Sequence, residues 1–172
     1  MKKIGVFALI VFLTSCNAVR VNYDYDKEAD FSNYGTYGYY SDLKTGLSEL
    51  DTKRLLDAVD AEMQLKGIRF SEDPDFFINI ESRSFQAPRN NTVGVGLGGT
   101  GRNVGGGVSV GIPVGRSNLE REIRFDFIDS KKETLFWQAV SESGFKENDS
   151  PESREGRLQV LAAKVFAKYP PK

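Results

Sequence analysis

The sequence predicts an α+β domain: a mostly antiparallel sheet with two helices on one face and a glycine-rich hairpin or loop insertion. Three observations carry this. Ser48 to Lys66 and Pro151 to Lys168 place apolar residues at helical spacing. The segments around them alternate apolar with polar residues, the period of a half-buried strand. The order β-β-α-β, then a glycine-rich stretch, then β-β-α lets two helices cover one face of a sheet built largely from hairpins.

The elements follow in order. Val19 to Tyr25 alternates and reads as a strand, and Thr36 to Tyr40 is a second, aromatic-rich one. Asp30 to Asn33 is the turn between them. In the first helix Leu55, Leu56, Val59 and Met63 form one stripe, with Asp57, Asp60 and Gln64 largely off it. Ser48 and Asp51 have the spacing of a reciprocal cap, and Gly67 followed by Ile68 suits a left-handed terminator. Phe76 to Phe85 is a strand after the turn Glu72 to Asp75. Arg121 to Ile128 is the clearest strand, with Ile123, Phe125 and Phe127 on one face and Glu122, Arg124 and Asp126 on the other. Thr134 to Ser141 returns as its hairpin partner across the polar loop Asp129 to Glu133. The last helix has Ser150 as N-cap and Pro151 at N1. It lines up Leu158, Leu161, Ala162, Val165 and Phe166, and ends before Pro170-Pro171.

Composition narrows the chemistry. The 172 residues include one Cys and no His, which excludes a Ser-His-Asp triad, a Cys-His pair, a His-ligated metal and an internal disulfide. A net charge of −1 argues against nucleic acid as a partner. At 40% hydrophobic and 27% charged the chain is globular in type.

The N-terminus holds the strongest motif. Lys2 and Lys3 precede an apolar run from Ile4 to Leu13. Ten helical residues span about 15 Å, too short to cross a bilayer but right for the apolar part of a secretory signal. Leu13-Thr14-Ser15-Cys16 then resembles the bacterial lipobox and contains the only Cys. The resemblance implies a signal peptide over residues 1–15, a lipidated tether over 16–18 and one domain over 19–172. Acyl chains such as palmitate on Cys16 would hold the protein to a membrane. Removing Lys2 and Lys3 from 23 basic residues leaves 21 against 24 acidic ones, a side-chain charge of −3. Asn17 in place of Asp, by the same resemblance, implies the outer membrane and its periplasmic face.

Gly94 to Gly115 contains ten of the 17 glycines. Gly96-x-Gly98-x-x-Gly101 matches a dinucleotide fingerprint in spelling only, because three more glycines follow where a helix should open. A membrane glycine zipper through Gly107, Gly111 and Gly115 is opposed by Pro113, Arg102 and Asn103. The preferred reading is a hairpin with Val93, Val95 and Leu97 on one arm and Val108, Val110 and Ile112 on the other. Gly99 to Gly107 forms its tip, and one nearly bare face admits a flat surface or another backbone.

Six of the seven tyrosines lie between Tyr23 and Tyr40. Tyr23, Tyr25, Tyr37 and Tyr39 are the candidate ligand or partner contacts, as an aromatic platform for sugar rings. The preferred reading is ordinary strand alternation, ring inward and hydroxyl wet. Asp24/Asp26, Asp57/Asp60, Asp73/Asp75 and Asp126/Asp129 are the only acid–base pairs close in sequence. Such pairs catalyse glycoside hydrolysis only at a defined separation across a cleft, which proximity in sequence does not supply. Ser130 beside Lys131 sits in a loop with little to desolvate the amine. No catalytic residues, cofactor or metal ligands are assigned.

Tyr25-Asp26, Asp30 to Tyr37, Lys66-Gly67, Asp73-Pro74-Asp75, Leu135 to Gln138 and Tyr169 to Pro171, in that order after Cys16, resemble the bacterial lipoproteins catalogued as domain of unknown function 4136. The loop Asp129 to Glu133 departs from that pattern in having no Gly. The resemblance implies an envelope lipoprotein without an established activity. The leading expectation is a non-enzymatic outer-membrane lipoprotein that binds an envelope protein or peptidoglycan, or supports envelope integrity. The alternatives are a glycan- or small-molecule-binding module and, behind it, a carboxylate-dependent hydrolase. Oligomeric state is left open.

Overall fold

The structure, a computed structural model, describes residues 19–86, 92–94, 111–113 and 119–171. Its elements are β1 (Arg20–Tyr25), a single 3-10 turn (Phe31–Asn33), β2 (Thr36–Tyr39), α1 (Glu49–Leu65), β3 (Arg69–Phe70) and β4 (Phe76–Gln86). They continue with β5 (Thr92–Gly94), β6 (Gly111–Pro113), β7 (Leu119–Asp129), β8 (Leu135–Phe145) and α2 (Pro151–Phe166). Six strands make one sheet in the order β1-β8-β7-β4-β2-β3, and β5 pairs with β6. The α+β class and the mostly antiparallel sheet are as the sequence predicts. The exceptions are β2 against β3 and β2 against β4, which run parallel. Parallel neighbours need a long crossover, and α1 supplies it.

Each helix begins where a serine side chain satisfies a free backbone N–H, and α1 ends where backbone N–H groups satisfy its last carbonyls. Ser48 caps α1 by accepting from the Asp51 N–H, and Ser150 caps α2 by accepting from the Ser153 N–H. Gly67 adopts φ +77° after α1. The Ile68 N–H donates to Met63 O and the Gly67 N–H to Gln64 O, so two terminal carbonyls are satisfied in the reverse turn that follows a helix.

The core lies between the helices and one face of the sheet. Ile78 and Ile80 of β4, Ile123, Phe125 and Phe127 of β7, and Leu55, Val59 and Met63 of α1 are all 0% exposed. On β8 Trp137 faces the same way and stacks on Phe166 of α2, with ring centroids 5.9 Å apart. The opposite face of the sheet is a lattice of charge. Arg20 bridges Glu120 and Glu142, Arg83 meets Glu122, and Arg124 meets Glu81 and Asp126.

Several details depart from the sequence reading. β3 is a strand the alternation rule misses, since Arg69 and Phe70 are both exposed and too few to show a period. β7 and β8 run to 11 residues each, longer than expected at the end nearest the glycine-rich stretch. The reciprocal cap does not form as drawn. The Asp51 carboxylate turns to Arg54 and to Arg154 on α2 instead of back to the start of its helix. The loop without Gly turns at Glu133, which takes φ +55° itself. The Asp129 carboxylate steadies that loop by accepting from the N–H groups of Lys131 and Lys132.

Of the glycine-rich hairpin, the pairing Val93 to Ile112 is seen. Phe76 pairs with Asp129, Gln86 with Leu119 and Thr92 with Pro113, so the same pairing offset runs through both strand pairs. Val95, Leu97, Val108, Val110 and the tip lie outside the described residues, as do the signal-like segment and Cys16.

Candidate functional site

The helix-facing row of β7 changes character at its start. Ile123, Phe125 and Phe127 are apolar, and Arg121 continues the same parity one step earlier. The two helices change in the same layer: Asp51 lies one turn before Leu55, and Arg154 and Arg157 lie one turn before Leu158 and Leu161. The apolar seam therefore ends in a cleft of about 40 Å³, walled by Arg121, Arg154, Arg157, Asp51, Phe145 and the apolar ends of Ile123, Leu158 and Leu161.

Asp51 is 3% exposed and is the buried anion of this layer. Its Oδ1 accepts from Arg54 at 2.8 Å and its Oδ2 from Arg154 at 3.1 Å. Two guanidiniums on one carboxylate offset the desolvation cost that a single buried pair would leave open. Arg154 also donates to the carbonyls of Asp149 and Glu147, and Arg157 pairs with the Asp149 carboxylate. Arg121 is different. Its guanidinium lies 3.5 Å over the Phe145 ring, and its Nε donates weakly to Ser84 Oγ at 3.5 Å. Burial holds its pKa below the ordinary guanidinium value; Asp51 opposes that shift, and Arg154 and Arg157 reinforce it. Among the described residues Arg121 forms no ion pair.

A second, open groove of about 290 Å³ lies at the other end of β1 and β8, lined by Asp24, Tyr25, Asp26 and Leu135 to Gln138. It holds one of the four candidate tyrosines. The others are elsewhere: three strands separate β1 from β2, which carries Tyr37 and Tyr39, and Tyr23 is not among the groove's lining residues. Tyr23 points toward α2, where its hydroxyl donates to the Lys164 carbonyl at 2.6 Å. Tyr37 and Tyr39 both donate to Asp60 Oδ1 at 2.7 Å. Burial, then Asp60 itself, pushes both phenols well above the usual tyrosine range; for Tyr39 the nearby charges of Tyr37 and Asp57 add to this. The four rings do not share one surface. Three of the four hydroxyls are bonded to protein, unlike the wet hydroxyls that strand alternation implies, and Tyr25 alone of the four is exposed, at 42%.

The carboxylates are engaged in holding the fold. Asp60, off the apolar stripe of α1, fastens β2 to α1 through two tyrosines. Asp75 accepts from Gly35 N, Thr36 N and Thr36 Oγ1, tying the start of β2 to the start of β4. Asp129 accepts from Tyr34 as well as from its own loop. Asp126 takes the Gln138 amide at 2.7 Å and faces away from the helices. Asp24 and Asp26 accept from the N–H groups of Tyr25 and Glu28. Asp57 and Asp73 are exposed. Among the described residues no three His, Cys, Asp or Glu side chains are grouped to hold a metal, and no helix is long and apolar enough to cross a membrane.

Sequence reasoning missed the arginine cleft. The signal was present: Arg121 has the parity of Ile123, and Arg154 and Arg157 precede the apolar stripe of α2 by one turn. What no local pattern contains is that these segments converge with Asp51, more than a hundred residues from Arg154.

Fold and site together describe a two-layer α+β domain with an internal arginine cleft. The chain belongs to the family described as "Domain of unknown function (DUF4136)", which matches residues 21–171. That family carries no enzyme assignment. No curated protein matches the chain. Among solved structures it is similar to a PDZ domain protein from Parabacteroides distasonis, at 14% identity and TM-score 0.60 over 90% of this chain. This chain spans 36% of that protein's length. It is also similar to the PelC dodecamer from Paraburkholderia phytofirmans, at 10% identity and TM-score 0.51, covering 87% of this chain and 96% of that one. A second crystal form, of a PelC variant, gives TM-score 0.50. At these identities the likenesses concern the fold alone.

Proposed function

We propose that this chain is a non-enzymatic lipoprotein of the bacterial outer membrane, facing the periplasm, whose domain binds an envelope protein or peptidoglycan. The observation that carries the reading is Leu13-Thr14-Ser15-Cys16, directly after a basic and an apolar segment. Only three residues separate Cys16 from β1, so an acylated Cys16 would hold the domain close against the bilayer. The reading of the carboxylates as structural is supported by Asp60, Asp75 and Asp129 each accepting two or more hydrogen bonds from groups that join elements of the fold.

Metabolic labelling with an alkyne analogue of palmitate tests the anchor. The native chain should incorporate label and co-sediment with outer membrane, and Cys16→Ser should do neither. Unlabelled native protein would refute the reading. Crosslinking in cells tests the second half: recovery of one envelope protein or of peptidoglycan fragments is expected, and recovery of neither counts against a binding role.

A further inference from the structure

The arginine cleft contains more positive charge than its surroundings neutralise. Arg121, Arg154 and Arg157 line it, with the carboxylates of Asp51 and Asp149 as their counter-charges, and Arg54 shares Asp51 from outside the cleft. Arg54, Arg154 and Arg157 account for both. Arg121 is left with an aromatic face and a weak hydroxyl contact, and its Nη atoms make no hydrogen bond among the described residues. The segments outside the described residues cannot supply the missing anion from a side chain, because residues 1–18, 87–91, 95–110, 114–118 and 172 contain no Asp or Glu. Half-burying a guanidinium beside two others, with no carboxylate of its own, is costly unless something anionic joins it.

The cavity defines the size of that anion. One buried water needs roughly 10–15 Å³, so the cleft of about 40 Å³ has room for a group of three or four oxygens. The three guanidiniums that line the cleft, against the carboxylates of Asp51 and Asp149, leave one positive charge, which an anionic oxygen group would neutralise. Guanidinium forks are matched in geometry to phosphate oxygens. We propose that Arg121, Arg154 and Arg157 form a binding site for a phosphoryl group, with Phe145 and Leu158 packing against whatever carries it. The site lies at the level of the sheet where β1 begins, since Arg20 pairs with Glu142 and Arg121 with Ser143. A phospholipid headgroup and a soluble phosphate ester present the same chemistry there. The site does not depend on acylation of Cys16, so it stands or falls separately from the anchor.

The test is calorimetric titration of the purified full chain in detergent, first with inorganic phosphate and then with a short-chain phosphatidylglycerol below its micelle concentration. Saturable one-to-one phosphate binding is expected. Arg121→Met should weaken it about tenfold or more, the loss of charge-assisted hydrogen bonds. Arg83→Gln, on the opposite face of the sheet, should leave it within about twofold. Arg121→Lys, which keeps charge but loses the fork, should fall between. Should Arg121→Met fail to give the native circular dichroism spectrum, Arg157→Gln makes the same comparison from α2. Competition by phosphatidylglycerol assigns the site to a headgroup, and phosphate binding without competition assigns it to a soluble ester. Absence of saturable phosphate binding, or equal weakening by Arg121→Met and Arg83→Gln, overturns the proposal.

Discussion

Removing the Asp75 carboxylate should loosen the join between β2 and β4. Its Oδ2 accepts three hydrogen bonds, from Thr36 Oγ1 at 2.7 Å, Thr36 N at 2.8 Å and Gly35 N at 3.0 Å. A hydrogen bond to a charged group contributes about 1.5–3 kcal/mol. The three share one oxygen and the site is half open to water, which would re-bond the freed donors. Asp75→Ala should therefore cost about 2–3 kcal/mol, near the value of one full charged bond, and Asp75→Asn about 1 kcal/mol, since the amide keeps an acceptor. The pH dependence adds a second signature. The Thr36 hydroxyl, against burial and helped by the Thr36 and Gly35 N–H groups, holds the Asp75 pKa below the ordinary carboxylate value. A depressed pKa contributes stability that is complete above the unfolded value, about 3.9, and is lost as pH falls through the folded value. The gap between native protein and Asp75→Asn should be constant at neutral pH and shrink below about pH 4. Urea denaturation followed by fluorescence of Trp137, the only Trp and 1% exposed, measures both. An Asp75→Ala cost under about 0.5 kcal/mol, or a gap unchanged down to about pH 3, would refute the reasoning.

Backbone conformation supplies a further set of outcomes. Gly156 lies inside α2, and nothing comes within 4 Å of an added Cβ; Gly156→Ala should stabilise by about 0.5–1 kcal/mol in thermal melts. Gly46 has φ +74°, and its added Cβ would lie 2.7 Å from the Ser82 carbonyl; Gly46→Ala should cost about 2–4 kcal/mol in the same melts, strain and clash together. Glu133 turns at φ +55°, and Glu133→Gly should gain about 0.5–1 kcal/mol by relieving it. Burial, then the hydrogen bond to Asp129, raises the Tyr34 phenol to about 12. Stability owed to it is complete below the unfolded value of about 10 and is lost as pH rises toward the folded one. Tyr34→Phe should lower stability at neutral pH by about 1 kcal/mol and flatten the alkaline limb of a stability–pH curve between about pH 10 and 12.

Much of the fold was legible because its signals are local. The stripe of α1, the caps at Ser48 and Ser150, the Gly67 terminator and the alternation of β7 each depend on residues a few positions apart, and each is present in the structure. β3 was invisible because two exposed residues carry no period. The role of Asp60 was not legible, because helical phase places it off the apolar stripe while its partners, the hydroxyls of Tyr37 and Tyr39, lie on a strand more than twenty residues away. The tyrosine platform separated for a topological reason: strands adjacent in sequence, β1 and β2, are not adjacent in the sheet. The departure at Asp129 to Glu133 was legible as a missing Gly, but only the backbone reveals that Glu133 takes the left-handed turn itself.

Sequence alone determined the element types, the apolar faces and the lone Cys16 with its lipobox-like setting, since all of these rest on spacing along the chain. Tertiary structure alone decided the parallel placement of β2 and the burial of Asp51 beneath Arg54 and Arg154. It also decided the convergence of Arg121 with Arg154 and Arg157. The reason is physical: a charge becomes a site only when packing removes its water and sets its neighbours, and those neighbours are brought in from distant parts of the chain.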